Sequence, residues 1–167
     1  MKHLNFILIS TFIAGFLTGV YVFFMSRSLE APQLVEPSSR NGFEIIADSY
    51  GGCELVGCAS YRILENGSYT YIQSRREGEA EKFEDIVSKN RISLLKELLH
   101  EENFTKIEES EFSGTCPITY DGLAYKFTIT YEGKRYKIDT CIHDTLSSQA
   151  ISEFRDYFEI FALTHGD

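Results

Sequence analysis

The residues best equipped for chemistry are an imidazole beside a carboxylate, His143-Asp144, and four cysteines, Cys53, Cys58, Cys116 and Cys141. A His next to an Asp is the pairing that orients a general base, and a small hydrolase would use His143 and Asp144 in that way. Asp144 also stands where the following helix needs a cap, which accounts for it without catalysis. Ser113-Gly114-Thr115 offers hydroxyls but lacks the flanking glycines of a nucleophile elbow. Gly51-Gly52 is followed by no Gly-Lys-Ser/Thr, so no phosphate loop is read there. No motif specifies a reaction or a cofactor, and a binding role is expected ahead of an enzymatic one.

Four cysteines allow three disulfide connectivities. Cys53 with Cys58 and Cys116 with Cys141 is the expected pairing, because each bond closes a local loop. The larger loop, about 25 residues, is worth roughly 3 to 4 kcal/mol on chain-entropy arithmetic. Four thiolates on a metal are the competing reading. Structural zinc usually takes tighter C-x2-C spacing, so no metal is expected. The second bond would brace residues 112–122, FSGTCPITYDG. A loop held at one end loses less entropy on binding, which makes Thr115, Pro117, Ile118, Tyr120 and Asp121 the candidate binding residues. Protease inhibitors present such loops, so an inhibitor built around Cys116 is an alternative reading.

Gly52-Cys53, Gly57-Cys58, Tyr61, Gly67 and Tyr71 together resemble an uncharacterised family of exported bacterial domains, in which a Gly-Cys and Gly-Cys motif precedes a Tyr-rich hairpin. That family usually has Pro after the second Cys, where this chain has Ala59. Thr115-Cys116-Pro117 and Tyr120-Asp121-Gly122 are similar to a segment of hypothetical envelope proteins. The resemblance implies export and disulfides, and no catalysis.

The elements that must position these residues follow from patterning. Residues 43–47 read as a strand, and 59–65 and 68–74 flank Asn66-Gly67 as a hairpin in which Tyr61 and Ile63 face Tyr69 and Tyr71. Residues 82–87 offer another strand. Ile92, Leu95, Leu98 and Leu99 share one face of a helix capped by Asn90, with an acidic outer face. A second hairpin pairs 123–131 with 134–141 across Glu132-Gly133. Asp144 then opens a helix with Leu146, Ala150, Ile151, Phe154, Phe158 and Phe161 on its apolar stripe. His100 and His165 fall at helix ends, where they suit the dipole. The expected class is α+β: an antiparallel sheet built from two hairpins, with two helices packed on one face.

Lys126, Lys134, Arg135 and Lys137 interleave with Tyr125, Tyr131 and Tyr136, which reads as a solvated strand face or as a patch for an acidic partner. Asn66-Gly67-Ser68 and Asn103-Phe104-Thr105 match the glycosylation triplet. The first is better explained as a turn.

Residues 4–25 carry no charge and as a helix would span roughly 33 Å, enough for a bilayer. Residues 1–26 are therefore expected to be a transmembrane signal-anchor, 27–42 a Pro- and Ser-rich linker, and 43–167 the folded domain. The short N-terminal tail places the domain outside the cytoplasm. Secretion after cleavage is the alternative, although no small-x-small site closes the run. Gly15 and Gly19 form a small-xxx-small pair that could bring two anchors together. The whole chain of 167 residues has a net charge of −9, and residues 27–167, with 15 basic and 25 acidic side chains, carry −10. Such a surface argues against nucleic acid as a partner and leaves the membrane, through residues 4–25, and a protein partner.

Overall fold

Asn66-Gly67 and Glu132-Gly133 each turn the chain between paired strands. The computed structural model describes residues 15–16, 42–53, 57–74 and 80–165. In it, β2 (Ala59–Leu64) and β3 (Ser68–Ser74) pair with Tyr61 opposite Tyr71 and Ile63 opposite Tyr69. Asn66 Oδ1 accepts the Ser68 N–H at 2.9 Å, the local bond that favours Asn in such a turn. β5 (Leu123–Tyr131) and β6 (Lys134–Asp139) pair with Phe127 opposite Ile138. Here Glu132 and Gly133 have φ of 49° and 74°, the two positive values that a tight two-residue hairpin requires.

The sheet is more than two hairpins. β1 (Glu44–Gly51) lies between them, antiparallel to β2 on one side and to β5 on the other. β4 (Ala80–Ile86) extends the other edge, giving the order β4-β3-β2-β1-β5-β6. The architecture is thus a four-stranded meander joined through its first strand to a hairpin. β1 runs past the expected 43–47 because Ile45, Ala47 and Ser49 keep one alternating buried face. The Asp48-Ser49-Tyr50-Gly51 run reads as turn chemistry until its neighbours on both sides are known. β4 turns only one apolar side chain, Phe83, toward the core and carries charges along an exposed edge, which discourages pairing with another chain.

α1 (Lys89–Glu101) buries Ile92, Leu95, Leu98 and Leu99, the expected stripe. Its N-cap is Ser88, and Asn90 lies exposed inside the first turn instead of capping it. α2 (Phe104–Glu108) is a third, short helix that the sequence reading does not anticipate. Asn103 caps it by accepting the Lys106 N–H at 3.1 Å, while Phe104 and Ile107 turn inward. α3 (Gln149–His165) buries Ala150, Ile151, Phe154, Phe158 and Phe161 as expected, and Tyr157 as well. It begins later than expected, so Leu146 lies outside it and is 87% exposed. Asp144 does not cap α3. It accepts the Leu146 N–H at 3.2 Å, and Ser148 Oγ takes the Ile151 N–H at 3.1 Å as the cap.

One core joins the helices to one face of the sheet. Tyr61 sits at its centre, with its ring 4.8 Å from Phe158 and 5.5 Å from Phe161 and its hydroxyl donating to the Phe154 carbonyl. The other face is polar, with Glu44 and Arg62 paired at 2.6 Å. The chain divides into two units, Met1–Ser38 and Ser39–Asp167, and the sheet and helices belong to the second. The expected anchor and linker lie outside the described residues, apart from the helical pair Gly15-Phe16 and Gly42. Among the described residues no helix is long and apolar enough to cross a membrane.

Candidate functional site

Both disulfides lie at one end of the sheet. Cys53 is bonded to Cys58 just beyond β1, and Cys116 to Cys141 just beyond β6, with Cα atoms 4.9 and 5.0 Å apart. The expected pairing is the one found. Ser74 donates its N–H to the Cys58 carbonyl at 2.9 Å, tying the first loop to the end of β3. Phe112 donates to the Ile142 carbonyl at 2.8 Å, tying the second to the end of β6.

The two cysteine segments also lock together. The Gly52 N–H bonds the Gly122 carbonyl at 3.1 Å, and any Cβ at position 52 would collide with the Asp121 carbonyl. Glycine is needed there because backbone approaches backbone. Pro117–Tyr120 forms a single 3-10 turn with Cys116 at its N-cap and Asp121 in the left-handed region at φ 56°. Of the candidate binding residues, Thr115, Pro117, Tyr120 and Asp121 are exposed, and Ile118 is half-buried. This conformation is curled, whereas a chain that adds to a protein as a strand is extended.

His143 and Asp144 have separate partners. His143 Nδ1 accepts the Asp139 N–H at 2.9 Å, and the Asp144 carboxylate serves Leu146. The polar centre of this end is instead Asp139, which sequence reasoning missed. Its Oδ1 accepts the Tyr50 hydroxyl at 2.5 Å and the Cys141 N–H at 2.9 Å, and Lys126 Nζ stands 3.8 Å from Oδ2. Burial, then the bond to Asp139 and its charge, hold the Tyr50 hydroxyl protonated well above the usual phenol range. Asp139 alternates with Arg135 and Lys137, so its spacing alone marks it as a surface strand position.

Of the interleaved bases and aromatics of β5 and β6, all but Lys134, which pairs with Tyr131 at the turn, prove to face opposite ways. Tyr125, Tyr131 and Tyr136 pack against the core, whereas Lys126, Arg135 and Lys137 are exposed on the polar face. Strand alternation separates neighbours that look like a mixed patch in sequence. Among the described residues no three His, Cys, Asp or Glu side chains are grouped to hold a metal ion.

A groove runs along one flank of α3. Its first lobe, about 500 Å³, lies between Ile151, Ser152 and Arg155 of the helix and the braced segment at Phe112, Thr115 and Pro117. Its second lobe, about 470 Å³, lies between Phe158, Glu159 and Ala162 and the ends of β1, β2 and β3 at Ser49, Ala59 and Gln73. Leu123 and Tyr125 floor both lobes. Thr115 and Pro117 are thus brought to the groove, and Leu146, which the sequence places on a helix, stands at its rim. No sequence signal marks the groove, since it forms between α3 and strand ends that are distant from it along the chain. The chain matches no protein-family model and no curated protein.

Proposed function

We propose that the protein is a membrane-tethered domain displayed outside the cytoplasm, and that it binds a ligand in the groove beside α3. One observation carries the reading: both disulfides brace the end of the sheet that holds the groove. Disulfides persist in oxidising compartments, which supports the address. A wall fixed before binding loses little entropy on binding, which supports the task. The resemblance of the Gly-Cys motif to exported bacterial domains points the same way.

Two measurements test it. A reporter active only outside the cytoplasm, fused after Asp167, should be active, and a silent but stable fusion would remove the address. A photo-crosslinking amino acid at Leu146, on the groove rim, should give a discrete adduct in intact cells. The same probe at Ile86, exposed on the polar side of β4, should not. Equal labelling from both positions would remove the groove as the ligand site.

A further inference from the structure

Among the described residues, the two lobes of the groove differ in charge. Ile151, Arg155, Phe158 and Ala162 recur at three- and four-residue spacing, so one stripe of α3 lines both lobes. From Ile151 to Ala162 that stripe is about 17 Å long at about 1.5 Å per residue. Among the described residues that line it, the first lobe has one cation, Arg155, and no Asp or Glu, although the chain as a whole carries −9. It also lies beside the first turn of α3, where the helix dipole favours an anion. Among the described residues that line it, the second lobe has Glu159 and no cation.

Among the described residues, neither charge is held in a close ion pair. The Arg155 side chain is 55% exposed, and its contacts are long ones, 3.5 Å to Ser152 Oγ and 3.9 Å to Asp156 Oδ1. Glu159 is exposed, with no ion pair among the described residues. The Tyr125 hydroxyl on the shared floor lies within electrostatic reach of Arg155, Glu159 and Asp156.

We infer, building on the proposed binding role, that the groove takes the C-terminus of an extended peptide. Its terminal carboxylate sits at Arg155 and a Lys or Arg two positions upstream sits at Glu159. Four residues of helix separate the two charges by about 6 Å. Two residues of extended chain cover nearly the same distance, at about 3.3 Å each. The last side chain of the peptide is apolar and enters the first lobe against Phe112, Pro117 and Leu146. A fatty acid would satisfy Arg155 but would lay its tail beside Glu159 and desolvate that carboxylate without a partner.

The test uses the full-length chain in detergent micelles and a fluorescein-labelled hexapeptide, Gly-Ser-Gly-Lys-Ala-Phe, read by fluorescence polarisation. The free acid should bind saturably. Its C-terminal amide should bind about tenfold more weakly or worse, because a charge-assisted pair is lost. A Glu-for-Lys analogue should weaken by a similar factor. Arg155→Gln should bind acid and amide alike, and Glu159→Gln should no longer distinguish Lys from Glu. Both sites are exposed, so an unchanged melting temperature confirms that the variants are folded. Equal affinity of acid and amide for the wild type, or no saturable binding by any of these peptides, would overturn the inference. If labelling from Leu146 persists in that case, only the peptide reading falls; if it is absent too, the binding role falls with it.

Discussion

Ser148 joins two helices through one hydroxyl. Its Oγ accepts the Ile151 N–H at 3.1 Å and donates to Glu102 Oε2 at 2.7 Å, just beyond the end of α1. Ser148→Ala should therefore cost about 1 to 2 kcal/mol, the worth of a helix cap. Asp144→Ala, which removes only a bond to an exposed loop, should cost less, and urea unfolding of the two variants measures the order. Both residue types suit a cap, so the sequence does not separate them; the loop at 144–148 does, by delaying the start of α3. Gly52→Ala should be worse than either, about 2 kcal/mol or more, since the added Cβ meets backbone that the second disulfide segment holds in place. The glycine is visible in the sequence, but its partner at Asp121 is not, because the two are brought together only by β1 pairing with β5.

At the level of elements, the disulfides differ in what they close. Sequence separations of 5 and 25 residues correspond to about 2 and about 3.5 kcal/mol on chain-entropy arithmetic. Replacing Cys116 and Cys141 together by Ser should therefore lower the urea midpoint more than replacing Cys53 and Cys58. A reversed order would show that the first loop matters for more than entropy. The strongly patterned elements, both hairpins and the apolar stripes of α1 and α3, were legible because their periodicity is dictated by one buried face. β4 and α2 were less so. β4 turns a single apolar residue inward and is held by its pairing with β3, and α2 is five residues long and defined by Asn103 and the edge of β6. Both depend on neighbours that periodicity does not report.

On the scale of the whole molecule, the core is rich in phenols. Tyr61 and Tyr71 are buried on the covered face, and burial raises the pKa of each above 10.0. A raised native pKa means that the unfolded chain releases these protons first. The stabilisation they contribute is complete below pH 10.0 and is lost as pH rises through the native values. Unfolding followed by circular dichroism should therefore set in above that pH, together with the rise of tyrosinate absorbance. Ionisation of all ten tyrosines while the fold persists would contradict the packing of Tyr61. The central position of β1 has a further consequence, for the order of assembly. Its two partners are unequally distant along the chain: Asp48 pairs with Ser60 in the next strand, but also with Lys126. The meander can therefore close early, while the other edge of β1 waits for a strand that follows β4, α1 and α2 in the chain. Loop closure over that separation costs more entropy than local pairing, so docking of β5 is expected to follow closure of the meander. Until it occurs, β1 presents an open apolar edge, which makes the half-made chain most prone to aggregation at this stage.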